Sequence, residues 1–265
     1  MSRRRATSFA FATVLLLAAA ACSLTAPPVD DVQALAEFRA APEDRAAAMR
    51  ATHALFQTAD LTVQEALVGA ANELDHPATP AAILAAEAEL PAAVRDRVLG
   101  LATAGAEAAE AVLAAPGPSE TTTRVDAEVH LALHLTFVAW ANGPMRSLMA
   151  GYGTRILAAM DRALALDPLW DNGAPLRLKG RFLAQAPWPV GDRDAALELL
   201  QRAVAHAPLP IHHLFLGDLL FQRGDTAAAT EQWRAVLTSS PDATTAAAAP
   251  WHRRMAEHRL SVGGR

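Results

Sequence analysis

Gly191-Asp192-Arg193-Asp194-Ala195-Ala196 is echoed, 33 residues on, by Gly224-Asp225-Thr226-Ala227-Ala228-Ala229. The register persists beyond the motif. Leu200, Ala203 and Pro208 follow the first copy where Trp233, Val236 and Pro241 follow the second. The preceding helix leaves its own mark in the second copy, because Leu216-Gly217 stands upstream of Gly224 with Leu220 between them. Small residues at Gly217 and Ala229 let paired helices approach, Trp233 fills the space between them, and Pro241 ends the second helix. Met160, Ala163 and Asp167-Pro168 form a third, fainter copy upstream.

A period of 33 to 34 residues with this spacing resembles the tetratricopeptide repeat. That resemblance implies antiparallel helix hairpins stacked into a right-handed superhelical or bundle array. Two departures stand out. Ala186-Pro187-Trp188-Pro189 lengthens the stretch between Gly180 and Gly191, and His213 and Lys179 occupy positions usually filled by Trp and Leu.

Composition agrees with helices throughout. The chain has 265 residues, of which 52% are apolar, only 5% are aromatic and 64 are alanine. Alanine is the best helix former and is depleted in strands, so the expected class is all-α, which excludes a sandwich, a barrel or a Rossmann sheet. From Val32 to Ala115, prolines at Pro42, Pro77, Pro80 and Pro91 mark helix boundaries. The polar, helix-hostile stretch 116–125 reads as a linker between an N-terminal helical region (32–115) and a repeat domain (126–265). The whole chain carries −5, and without Arg3, Arg4 and Arg5 residues 22–265 carry −8 with no basic run, which gives no electrostatic basis for nucleic-acid binding.

The first residues read differently. A basic start at Arg3, Arg4 and Arg5 and an apolar run from Phe9 have the layout of a secretory signal over 1–21. Ala19-Ala20-Ala21-Cys22 resembles a lipobox, which implies lipid on Cys22, with 22–31 as a tether. The alternatives are an ordinary cleaved signal with a free Cys22, or a cytosolic chain with an apolar start. Ser23 after the cysteine implies the outer membrane by the enteric sorting rule. The single cysteine excludes a disulfide framework and a thiolate zinc site.

The row Asp167-Pro168 through Gly173-Ala174, Arg177, Gly180, Ala186-Pro187 and Gly191-Asp192 is similar to the T component of bacterial TRAP transporters. That family implies periplasmic lipoproteins of helical hairpins around a central pore or groove, associated with the solute-binding protein of an organic-acid importer. The rival expectation is a scaffold lipoprotein for pilus or outer-membrane assembly.

The first helix of each hairpin normally faces the concave side, so Arg177 and Arg181, and likewise Asp218 and Gln222, are expected as exposed groove positions. Two guanidinium forks suit a carboxylate, whether a partner's or a small organic acid's. Asp126, His130 and His134 form a stripe on an otherwise apolar helix. Two histidines a turn apart suit zinc, but the Glu of His-Glu-x-x-His is absent, so the expectation is groove or interface histidines and no metal. His212, His213 and His252 are read as surface or packing residues. Without a Ser elbow, a phosphate loop or a catalytic carboxylate pair, no cofactor and no enzyme activity are expected.

Overall fold

The computed structural model describes residues 30–74, 80–87, 89–186 and 189–261. The expected signal 1–21, Cys22 and all but the end of the tether lie outside these residues. The described residues are helical with no strand among them, and the fold is all-α.

Helix α1 (Asp31–Ala40) lies on α2 (Arg45–Asn72), and each is opened by an aspartate, Asp30 and Asp44, whose carboxylate accepts from backbone N–H groups of the first turn. After α3 (Pro80–Glu87), α4 (Ala92–Ala114) packs along α2. Helix α5 (Thr121–Asn142) is buried on nearly every side from Val125 to Trp140, since it is held among α2, α4, α7 and α8. The short α6 (Pro144–Met149) joins it to α7 (Tyr152–Leu166). The hairpins α8 (Trp170–Gln185) with α9 (Arg193–His206), and α10 (Pro210–Gln222) with α11 (Thr226–Thr238), follow, and α12 (Ala249–Leu260) comes last.

The echoed stretches open equivalent helices. Asp192 caps α9 and Asp225 caps α11, and the buried residues of α9 (Ala196, Leu200, Ala203) and of α11 (Ala229, Trp233, Val236) keep the repeat offset. The crossing point also repeats. A Cβ on Gly180 would lie 2.9 Å from Leu200 Cγ, and one on Gly217 would lie 2.6 Å from Trp233 Cδ1, so each glycine faces the large residue of its own hairpin.

The stretch read as a linker is shorter than expected and does not separate domains. Helix α5 already starts at Thr121, α4 packs against α5, and the Arg45 guanidinium donates to the carbonyls of Ala115 and Pro118 at 2.7 and 2.9 Å. One hydrophobic core runs from Phe56 to Ala256, across both expected halves.

Five helices touch in cyclic order: α2 meets α5, α5 meets α8, α8 meets α10, α10 meets α12, and α12 returns to α2. Helices α4, α7, α9 and α11 pack against members of this ring as hairpin partners. The last helix therefore closes the array on the first long one.

Candidate functional site

Each of the five ring helices places polar or charged side chains among buried surroundings. On α2, Asp60 and Gln64 are four apart and buried within an apolar stripe of Phe56, Val63 and Leu67, and the Gln64 amide donates to Asp60 at 3.3 Å. On α8, Arg177 is fully buried and donates to His212 Nε2 of α10 at 2.9 Å. That bond fixes the tautomer, because His212 Nδ1 must then carry the hydrogen and donate to the carbonyls of Ala207 and Ala203, at 2.7 and 3.1 Å.

Arg177 is the electrostatic hub. Burial pushes the Asp60 carboxyl up to about 7, against the opposing pull of the Gln64 hydrogen bond and the charge on Arg177. Burial also raises Asp171, again against Arg177. Burial and then the Arg177 charge lower both His212 and His252 of α12 to about 3, so both imidazoles are neutral at neutral pH. Burial works against ionised Asp242 as well, but hydrogen bonds from Thr245 and Thr244 hold its carboxyl below the usual range. From α5, the charge on His130 reaches Asp171.

The local backbone explains how Asp171 comes to face the hub. Asp171, Asn172 and Gly173 have φ of 47°, 56° and 86°, three consecutive left-handed residues at the start of α8. Aspartate and asparagine tolerate this region better than other side-chain-bearing residues, yet it still costs energy, and such outliers cluster at functional sites. The Asn172 amide is tied to Asp242, which braces the turn against the loop before α12. Pro175 then falls in the first regular turn, where a missing N–H costs nothing.

Several buried polar atoms near the hub have no hydrogen-bond partner: Gln64 Oε1, Asp171 Oδ2 and both ring nitrogens of His252. Leaving such atoms unpaired costs roughly 1–3 kcal/mol each, and native interiors seldom tolerate it.

A second cluster centres on Asp218. Asp218 of α10 accepts from Arg259 Nε at 2.7 Å and Nη2 at 3.2 Å, and from Trp233 Nε1 at 3.1 Å; Arg181 Nη1 lies 3.4 Å from its other oxygen. The Arg181 guanidinium also sits over the Phe215 ring, 4.8 Å from its centroid. This buried clamp ties α8, α10, α11 and α12 together.

These placements correct the expectation of an exposed groove. Arg177, Arg181 and Asp218 are buried, and Arg181 pairs with Asp218 while Arg177 pairs with His212. Gln222 stays half-exposed at the end of α10. The histidine stripe also divides. His134 Nε2 reaches the Thr52 carbonyl at 3.1 Å, and its ring occupies the space a Cβ on Gly105 would need; burial, then the charge on His130, lowers it to about 3. Asp126 and His130 are instead joined by His53 of α2, which the sequence reading did not single out. His53 Nε2 and His130 Nδ1 lie 2.9 and 2.7 Å from the same Asp126 oxygen. Burial disfavours the Asp126 carboxylate, but the two imidazoles hold it well below the usual range.

Asp60, Gln64, His212, His252 and Arg259 were likewise missed or read as packing residues. One signal existed for Asp60 and Gln64, a polar pair four apart inside an apolar run; His252 and Arg259, seven apart, share a buried face of α12, but the charged sequence of that helix gives no such signal. No protein-family model matches the chain, and no curated protein is significantly similar to it.

Proposed function

We propose that this chain is a non-enzymatic binding protein of the cell envelope, anchored by lipid at Cys22, that holds a small organic acid in its ring of helices and works beside a periplasmic solute-binding protein. The observation that carries the reading is the convergence of polar groups from α2, α10 and α12 on Arg177 of α8. Its guanidinium is a planar fork suited to a carboxylate. Asp60 is one competitor for that charge, and because burial pushes its carboxyl up to about 7 it gives up its own charge readily. Protonated, it becomes a donor to the incoming acid. Gln64, Asp171 and His252 offer further hydrogen bonds that a polar ligand completes. The resemblance to the TRAP T component supports the same solute class and the same kind of partner.

The rival reading, an assembly scaffold without a transport role, has its own observation. Met145, Leu148 and Met149 of α6 are exposed, Met149 at 83%, on a six-residue helix set between Gly143 and Gly151, both with positive φ. Clustered exposed apolar residues, methionines especially, are typical of protein-docking surfaces.

Thermal denaturation of the full chain with a panel of small mono- and dicarboxylates tests the first reading. A carboxylate at a hundred times its Kd adds about 2.7 kcal/mol, a rise in Tm of roughly 5–10 °C for a chain of this size. Arg177→Gln and His252→Leu should each abolish that rise. If no carboxylate shifts Tm while Leu148→Glu with Met149→Glu removes a protein partner captured from the native envelope, the scaffold reading replaces the first.

A further inference from the structure

We propose that His53, Asp126 and His130 form a binding site for a divalent transition-metal ion of the zinc class, independent of the solute reading above. Asp126 and His130 are one turn apart on α5, and His53 comes from α2, so the three ligands stand on two long helices packed against each other. Their donor atoms all lie within 4.8 Å of one another. Two imidazoles and one carboxylate are a donor set that zinc and its neighbours take in preference to calcium or magnesium.

The geometry is one step from coordination. Both imidazole nitrogens address the same Asp126 oxygen at hydrogen-bond distances of 2.9 and 2.7 Å. Around a tetrahedral ion with bonds near 2.0–2.2 Å, donor atoms lie roughly 3.3 Å apart, so the cluster opens by about half an ångström to admit it. His53 can make that adjustment, because 27% of its side chain is exposed and 17% of Asp126 is, which also gives an ion a way in. His130 is the fixed member. It is buried, and Phe56 meets its ring edge-on with centroids 5.3 Å apart. The His53 and His130 rings lie 4.4 Å apart at 46°, a tilt that brings both nitrogens toward one point rather than stacking the faces.

Three protein ligands leave a fourth position for water or for a donor atom of a bound molecule, the arrangement of an open site rather than a closed structural one. His134, four residues on, lies outside the cluster with its Nε2 held by the Thr52 carbonyl, whereas His130 Nδ1 must give up a 3.0 Å contact with the Asp126 carbonyl to take an ion.

Calorimetry of the full-length chain with Zn2+, and absorption spectroscopy with Co2+, test the site. The expected result is one ion per chain and an intense visible cobalt spectrum of low coordination number. His53→Gln, at a partly exposed position, and Asp126→Asn should each weaken zinc binding at least tenfold and abolish the cobalt band. His206→Ala removes an exposed histidine on α9 and should change neither. Absence of stoichiometric zinc, a cobalt spectrum of the weak octahedral type, or equal affinity in His53→Gln would each overturn the proposal.

Discussion

Asp60 and three buried histidines pull the stability of this protein in opposite directions with pH. Burial raises Asp60 to about 7, so the folded chain holds that proton after the unfolded chain has released it near 4. Its contribution to stability is therefore complete at low pH and lost as pH rises toward 7. His134, His212 and His252 have folded values near 3, so their contribution is complete above about 6.5 and lost as pH falls. Near pH 5 unfolding takes up three protons at the histidines and releases one at Asp60, a net two. These groups then make stability rise by roughly 3 kcal/mol per pH unit. Asp60→Asn removes the opposing proton, so denaturant titrations should show a slope steeper by about half between pH 4.5 and 5.5, and a variant more stable than the original chain above pH 7. Equal slopes would show that Asp60 ionises normally. Little of this was legible in the sequence: the spacing of Asp60 and Gln64 inside an apolar run marks a buried polar pair, but how Asp60 and His252 titrate comes from burial opposite Arg177 across the ring.

At the scale of elements the sequence was far more informative, and the reason is steric. The glycine facing the large residue of its hairpin partner must be repeated wherever the hairpin is repeated, so Gly180 with Leu200 and Gly217 with Trp233 leave a regular trace. Gly217→Ala forces its methyl to within 2.6 Å of Trp233 and should cost about 1–3 kcal/mol, a Tm lower by several degrees. Gly100 of α4 is the control, being exposed and with nothing within 4 Å of an added Cβ. Alanine there should raise stability by up to about 1 kcal/mol through helix propensity alone. A Gly217→Ala chain as stable as the original would mean that α10 and α11 are not in close contact in solution. Where no repeated contact constrained the chain, the reading slipped. Thr121, Thr122 and Thr123 read as linker by propensity, yet they form the first turn of α5, because burial of the rest of that helix outweighs their modest preference against it. The groove residues slipped for a related reason. Helical spacing places Arg177 and Arg181 on one face, but it does not say whether that face is open or closed over.

Closure is the property of the whole molecule that decides this. An open array of hairpins is quasi-one-dimensional, and its parts can unfold separately because each touches only its neighbours. Here α12 packs against α10, α11, α2 and α3, and Arg259 on α12 pairs with Asp218 on α10 through two hydrogen bonds. The two ends of the described helical array are thereby coupled, and what would be a concave groove becomes an interior. A single cooperative transition follows. Denaturation followed by helical circular dichroism and by tryptophan fluorescence, which reports all five tryptophans, Trp140, Trp233 and Trp251 among them, should give coincident midpoints. Arg259→Ala removes one of the two guanidinium groups that Asp218 engages, a loss of roughly 3–5 kcal/mol when a buried pair is broken from one side. It also releases the last helix. The two probes should then separate, with the C-terminal hairpins melting before α2, α4 and α5. Two transitions in the unaltered chain, dividing near residues 116–125, would restore two independent domains and leave Arg177 at the edge of an open groove.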